Sequence, residues 1–132
     1  MNYKSIILAI LLFVNPTLAF AGDFYIAQSA AGDESGLSCA NAHAIAGLTW
    51  GNGNDVDAGD TLHRCGTITS NLTIGSSGDD LSSGAITVKF EDDAEMVAAA
   101  WTTTTSAAIY CATYEYLIID GGSNGLIKAT DN

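Results

Sequence analysis

The densest cluster of charge in the sequence is the acidic run EDDAE, which contains Glu91, Asp92, Asp93 and Glu95 and is preceded by Lys89. Carboxylate oxygens are the ligands that Ca²⁺ prefers in proteins, so these four side chains are candidate metal ligands. Lys89 is the candidate catalytic residue beside them. The simpler interpretation is a solvated turn between two strands, and it is favoured over a site.

A second group of acids, Asp55, Asp57 and Asp60, lies in the segment GNGNDVDAGD. The alternation of Gly, Asn and Asp is similar to a glycine-rich calcium-binding repeat, but Asp57 stands where that repeat requires a large apolar residue. Three carboxylates could still hold a cation. Because Gly, Asn and Asp are also the usual turn residues, a solvated turn is the favoured interpretation.

Three cysteines, Cys39, Cys65 and Cys111, and two histidines, His43 and His63, are the remaining side chains with reactive or metal-ligating chemistry. In an oxidising compartment two cysteines are expected to pair and one to be left over. Neither histidine has a base and nucleophile beside it in the sequence. Both are therefore expected to be structural or surface residues.

The N-terminal segment 1–21 predicts a secretory signal peptide. Lys4 supplies the positive start, Ile6 to Val14 form an apolar run, and Ala19 to Ala21 match a small-residue cleavage site. The run is shorter than the roughly 20 residues that span a bilayer. We expect a secreted, periplasmic or cell-surface protein with no membrane contact after signal removal.

Acidic side chains dominate the rest of the chain. All 15 acids follow the signal, against three basic residues, Arg64, Lys89 and Lys128, so the mature net charge is −12. This balance argues against nucleic acids and anionic membranes, which bind basic patches. Solubility is the favoured reason for the acidity, and a cation or a basic partner is the alternative.

Short runs rich in β-branched residues, bounded by Gly, Asn, Asp and Ser, predict an all-β fold. The stronger strands start near Thr61, Ile86 and Tyr116, a loose spacing of 25 to 30 residues that indicates a solenoid. On periodicity alone, a β-sandwich is almost as good an interpretation. Residues 38–50, with Ser38 as N-cap, predict a short helix, and residues 121–125 are a candidate hairpin turn.

The order of several segments resembles the N-terminal end of right-handed parallel β-helix proteins of the pectin-lyase-like superfamily. An aromatic-rich strand, DFYIAQSAAG, is followed by the entry DAGDTLHRCGTIT, then by NLTI, ITVKFEDDAEM and YLIIDGGSNGLI. The resemblance runs from Asp23 to the end of the sequence.

This resemblance implies a right-handed parallel β-helix with an N-terminal cap strand, a short capping helix and about three coils. Residues 1–21 are then the signal, 22–60 the cap and 61–132 the first coils. Since complete members of the superfamily have many more coils, the sequence is expected to be the N-terminal part of a longer protein.

Within this arrangement, strand alternation assigns positions to the unusual side chains. With Leu62 inward, Cys65 faces the loop that carries Cys39, which predicts a disulfide; a metal site of Cys39, Cys65 and His63 is the alternative. Cys111 is expected in the core as a buried free thiol, or else bonded to a partner beyond the chain. Strict alternation also places Arg64 inside, unless it snorkels past the cap or a bulge re-aims it.

The resemblance further implies a protein that acts on extracellular polysaccharide, as a lyase or glycosidase toward acidic glycans. In enzymes of this kind, carboxylates bind Ca²⁺ that bridges to uronic acids and an arginine or lysine acts as base, roles that could fall only to Lys89 and the acidic run. No catalytic set is identified, so the chain alone is expected to be inactive, with Ca²⁺ as the one possible cofactor. The alternative is a non-enzymatic surface adhesin or glycan-binding β-helix.

Overall fold

The computed structural model describes residues 21–102 and 107–131. The predicted signal peptide lies outside these residues except for its last position. Among the described residues no helix has the length and apolar character needed to cross a membrane.

The described chain is built from short strands with almost no helix. The strands are β1 (Asp23–Ala27), β2 (His43–Ala44), β3 (Thr61–Arg64), β4 (Thr67–Ile68), β5 (Leu72–Thr73), β6 (Ile86–Phe90), β7 (Glu95–Ala98), β8 (Ile109–Tyr110), β9 (Leu117–Asp120) and β10 (Leu126–Ala129). Two single-turn 3₁₀ helices, Cys39–Asn41 and Ile45–Gly47, flank β2. The prediction of an all-β chain is confirmed.

These strands form three sheets in which the strand pairs are parallel. The first sheet has the order β2-β1-β3-β6-β9, the second β10-β7-β4 and the third β5-β8. From β3 onward the chain visits the first, second and third sheets in turn and then repeats that circuit. Each strand therefore lies beside the strand one circuit earlier in the same sheet.

Alternation along the strands decides which side chains enter the core. In β6, Ile86, Val88 and Phe90 are buried while Thr87 and Lys89 are only partly covered, as the period of two predicts. Register stacks Leu62 on Val88, and the apolar residues of the second and third sheets, such as Ile68 and Leu72, close the same core. The apolar interior thus lies between the three sheets.

The helix predicted over residues 38–50 is present only as two single-turn 3₁₀ helices separated by β2, and the first begins directly after Ser38. Ser38 makes no side-chain capping hydrogen bond, and His43–Ala44 instead pairs in parallel with Ile26–Ala27. The Ala42 carbonyl accepts a hydrogen bond from the Ala31 amide. Because these backbone groups are committed to β1 and its following loop, they are not free to form one continuous α-helix.

The predicted hairpin at residues 121–125 is wrong. This turn joins β9 of the first sheet to β10 of the second, and β10 pairs with β7 rather than with β9. The Gly125 amide donates to the Gly121 carbonyl at 2.7 Å. The segment is therefore a corner between two sheets.

Candidate functional site

One polar row crosses the outer face of the first sheet. Register places Tyr25 beside His63, His63 beside Lys89, and Lys89 beside Asp120. These residues alternate with inward-facing neighbours, so their side chains share the face opposite the core. We call this set the outer row. It carries aromatic, basic and acidic groups on four consecutive strands.

His63 is the most constrained member of the outer row. Its Nδ1 lies 2.6 Å from Glu91 Oε1 and its Nε2 lies 2.9 Å from Asp23 Oδ1. A neutral imidazole has only one N–H, so donation to both carboxylates requires the doubly protonated ring. The ring also stacks on Tyr25 with centroids 4.2 Å apart and planes inclined by 11°.

These contacts define what His63 can do. It is only 6% exposed, both nitrogens face carboxylates, and Tyr25 covers one ring face. A general base needs a nitrogen lone pair within reach of a substrate proton, and no such nitrogen is free here. His63 therefore cross-links β1, β3 and the turn after β6.

The acidic run is divided between two sheets. Glu91 accepts from His63 and lies 3.6 Å from Lys89 Nζ, and the hydrogen bond from His63 is the main reason that its pKa is lowered. Glu95 accepts from Lys128 Nζ at 3.1 Å and from Thr67 on the second sheet, and both contacts lower its pKa.

Asp92 and Asp93 occupy the exposed turn between these two glutamates, and Asp93 has a positive φ of 64°. The predicted ligand set of Glu91, Asp92, Asp93 and Glu95 is thus not gathered at one point. Within the described residues, no group of three or more His, Cys, Asp or Glu side chains is placed to hold a metal ion. The run forms a turn whose first residue, Glu91, contacts side chains of the first sheet and whose last residue, Glu95, contacts side chains of the second.

The second acidic group is engaged with its own backbone. Asp55 Oδ2 accepts from the Thr49 amide at 2.8 Å and from its hydroxyl at 2.7 Å. Asp60 accepts from the Asp57 amide through one oxygen and from the Gly22 amide through the other, both at 2.7 Å. These carboxylates fix the turn that leads into β3.

Cys39 and Cys65 are joined by a disulfide with a Cα–Cα separation of 5.5 Å, so the predicted pairing is confirmed. The alternative zinc-type site with His63 fails because such a site needs thiolate sulfur. The bond ties the segment before β2 to the end of β3.

The prediction that Cys111 is a buried thiol is wrong, because its side chain is exposed. Strand β8 ends at Tyr110, and the inward and outward alternation that placed Cys111 in the core does not continue past the last paired residue.

Arg64 lies inside the core, as strict alternation requires. The register of β3 with β1 and β6 is continuous, which excludes a bulge at this point. Arg64 is 1% exposed, and its Cζ lies 4.9 Å from the centre of the Phe90 ring. None of its guanidinium nitrogens has a hydrogen-bond partner among the described residues, and burial lowers the pKa of Arg64 to about 10.

A shallow depression of about 190 Å³ lies beside the outer row. Ser82, Ser83, Thr87 and Ile118 are among the residues that line it. Asp80 accepts hydrogen bonds from the Ser82 hydroxyl at 2.5 Å and from the amides of Ser83 and Ser82 at 2.9 and 2.6 Å. These contacts, the Ser82 hydroxyl above all, hold the pKa of Asp80 well below its usual range. Sequence reasoning missed this depression because only the turn around Asp80 brings the serines to Thr87.

Comparison with known proteins gives no match: no protein-family model, no curated protein and no solved structure is significantly similar to the chain.

Proposed function

We propose that the chain is the N-terminal cap and first coils of a secreted right-handed parallel β-helix protein that engages extracellular polysaccharide. The repeated circuit through three parallel sheets supports the fold, since each circuit is then one coil. The disulfide Cys39–Cys65 supports export, because disulfides persist in oxidising compartments. N-terminal sequencing of exported protein should begin at Gly22 if the signal is cleaved as expected.

The observation that carries the functional part of the proposal is the outer row with its adjoining depression. Polysaccharides present many hydroxyls and flat apolar sugar faces, and they are bound by polar side chains placed along extended surfaces. Thr87 and Ile118 line the depression and are register partners on β6 and β9. Lys89, half-exposed on the same strand as Thr87, adds a basic side chain to this face.

The geometry supports binding better than catalysis by this part of the protein. His63 has both nitrogens engaged, and Lys89 Nζ already lies 3.6 Å from the Glu91 carboxylate. The proposal therefore gives the chain a glycan-contacting role without turnover. A non-enzymatic adhesin is the second candidate, and it predicts the same binding without any hydrolytic or lytic activity in the whole protein.

Affinity electrophoresis of the exported chain through gels that contain neutral or acidic polysaccharides tests the binding role. We expect retardation in at least one gel, weakened by Lys89→Ala and by Thr87→Asp. Lys128→Ala is the matched control, since Lys128 is similarly exposed and similarly paired but lies on the second sheet. Equal loss in the Lys89 and Lys128 variants, or no retardation in any gel, would contradict the proposal.

Assays on polygalacturonate and alginate with Ca²⁺ test the enzymatic alternative. We expect no unsaturated product and no new reducing ends above a boiled control. Turnover that disappears in Lys89→Ala would show that the acidic turn is a working site.

A further inference from the structure

The sequence contains two Asn-Gly pairs, Asn52-Gly53 and Asn124-Gly125. The hydrogen bonding and packing of their glycines differ. An asparagine followed by glycine is chemically labile because the glycine amide nitrogen can attack the asparagine side-chain carbonyl without steric hindrance from a Cβ. The reaction needs that amide to be free of hydrogen bonds and the turn to have room to rearrange.

Gly53 meets both conditions. Its amide makes no hydrogen bond to any described residue, and a Cβ built on it would have no atom within 4 Å. Asn52 beside it is exposed. The two residues form the centre of a turn closed by hydrogen bonds from the Asn54 amide to the Gly51 carbonyl and from the Asn54 side chain to the Trp50 carbonyl, both at 2.9 Å.

Gly125 meets neither condition, although Asn124 is also exposed. Its amide donates to the Gly121 carbonyl at 2.7 Å. The backbone is also packed, since a Cβ built on Gly125 would lie 2.3 Å from the Gly121 carbonyl oxygen and 2.8 Å from Phe90 Cβ. The corner between β9 and β10 therefore protects the second pair.

We propose that Asn52 is a site of spontaneous deamidation and isoaspartate formation in the folded protein, and that Asn124 is protected by its corner. The Gly53 nitrogen loses its proton to solvent and attacks Asn52 Cγ, a new N–Cγ bond forms, and the Cγ–Nδ2 bond breaks to release ammonia. Water then opens the resulting succinimide at either carbonyl. The net change is asparagine plus water to aspartate or isoaspartate plus ammonia, with no other reactant.

The modification acts on the turn that joins the cap to β3. Isoaspartate inserts an additional backbone atom between Asn52 Cα and Gly53, which is incompatible with the Asn54-to-Gly51 hydrogen bond as it stands. Either product adds a carboxylate close in sequence to Asp55, which holds Thr49. The adjacent parallel bridge between Trp50 and Val56 is the contact expected to loosen.

Incubation of the exported, disulfide-bonded protein at mildly alkaline pH tests the proposal. After reduction, the tryptic peptides that end at Arg64 and Lys128 carry Asn52 and Asn124 separately, and fragmentation mass spectrometry locates the converted residue. We expect Asn52 to convert roughly fivefold to tenfold faster than Asn124, the ratio by which a backbone hydrogen bond of ordinary net strength disfavours the open amide. Asn52→Gln should abolish conversion at this site, and Asn124→Gln should leave it unchanged.

The same chain, reduced and held in concentrated urea, is the matched control. Without structure, the two Asn-Gly pairs should convert at similar rates. Similar rates in the folded protein, or faster conversion at Asn124, would overturn the proposal. A preference for Asn52 of the same size in urea would overturn it as well, because the local sequence alone would then account for the difference.

Discussion

The two ends of the strand stack differ in how well they cover equivalent side chains. Val88 and Ile119 are register partners with the same inward orientation, yet Val88 is fully buried and Ile119 is 49% exposed. Met96 and Ile127 repeat the contrast on the second sheet, at 0% and 46% exposure. The two exposed positions lie on β9 and β10, which are edge strands at the same end of the stack, whereas Ile68 on the edge strand β4 at the other end is fully buried.

The opposite end of the stack is held by cross-links as well as by apolar contacts. The disulfide joins the segment before β2 to the end of β3, and His63 joins β1, β3 and the turn after β6. The strand at this end of the first sheet is β2, and it pairs with β1 over only two residues. The cross-links therefore add contacts that strand pairing does not supply there. The comparison predicts that substitutions near the cap cost more stability than equivalent substitutions near β9 and β10.

Loss of the disulfide should have the largest effect. Cys39→Ser with Cys65→Ser opens a loop of 26 residues and should lower the free energy of unfolding by roughly 3.5 kcal/mol on the chain-entropy model. Urea denaturation of the variant and of the reduced wild type measures this. Cys111→Ser is the control and should change little, and a disulfide variant as stable as the wild type would show that the cap contributes nothing to global stability.

Truncation of core residues that are register partners should have the second-largest effect on stability. Met96→Ala should cost about 3 kcal/mol, because it removes a fully buried side chain. Ile127→Ala should cost less than half as much, since nearly half of that side chain already contacts water. Urea unfolding of both variants gives the comparison directly. Equal losses would mean that the end near β10 is covered in solution.

Replacement of Arg64 should raise the free energy of unfolding, whereas the substitutions above lower it. The buried guanidinium has no hydrogen-bond partner among the described residues, so Arg64→Met, of similar shape, should raise the free energy of unfolding by about 1 to 2 kcal/mol. Lys89→Met on the exposed face is the matched control.

The pKa of Arg64, lowered to about 10 by burial, gives this prediction a pH signature. The folded state loses the proton more readily than the unfolded chain, so the cost of burying the charge is fully present below about pH 10 and declines above it. The stability difference between wild type and Arg64→Met should therefore narrow at alkaline pH. A less stable Arg64→Met protein at neutral pH would mean that the guanidinium is hydrogen-bonded in solution.

The smallest expected effect on stability comes from replacement of Glu91, one of the two carboxylates that His63 contacts. Because the pKa of Glu91 is lowered below 4.5 in the folded state, its contribution is present above the ordinary carboxyl pKa and is lost as the pH falls through the lowered value. Glu91→Gln should cost about 1 kcal/mol at neutral pH and should weaken the loss of stability below about pH 4.5. Glu95→Gln, whose partner Lys128 is more exposed than His63, should cost less, and identical acid profiles for Glu91→Gln and wild type would contradict this account.

The sequence by itself determined the features that depend on local pattern. Alternating β-branched runs bounded by glycine predicted the strands, and the inward placement of Ile86, Val88 and Phe90 followed from their period of two. The same alternation put Cys65 within reach of Cys39. These predictions are confirmed because strand geometry fixes side-chain direction wherever the strand is paired.

Only the tertiary structure decided what happens where pairing begins or ends. The alanine-rich segment before Trp50 forms two 3₁₀ turns and no continuous α-helix, because β1 takes part of its backbone hydrogen bonds. Cys111 is exposed because β8 stops one residue earlier. The bonding of His63 to Asp23 and Glu91 joins residues 40 and 28 positions away in the sequence. Parallel stacking brings such distant residues together, and no local pattern in the sequence records which circuits of the chain become neighbours.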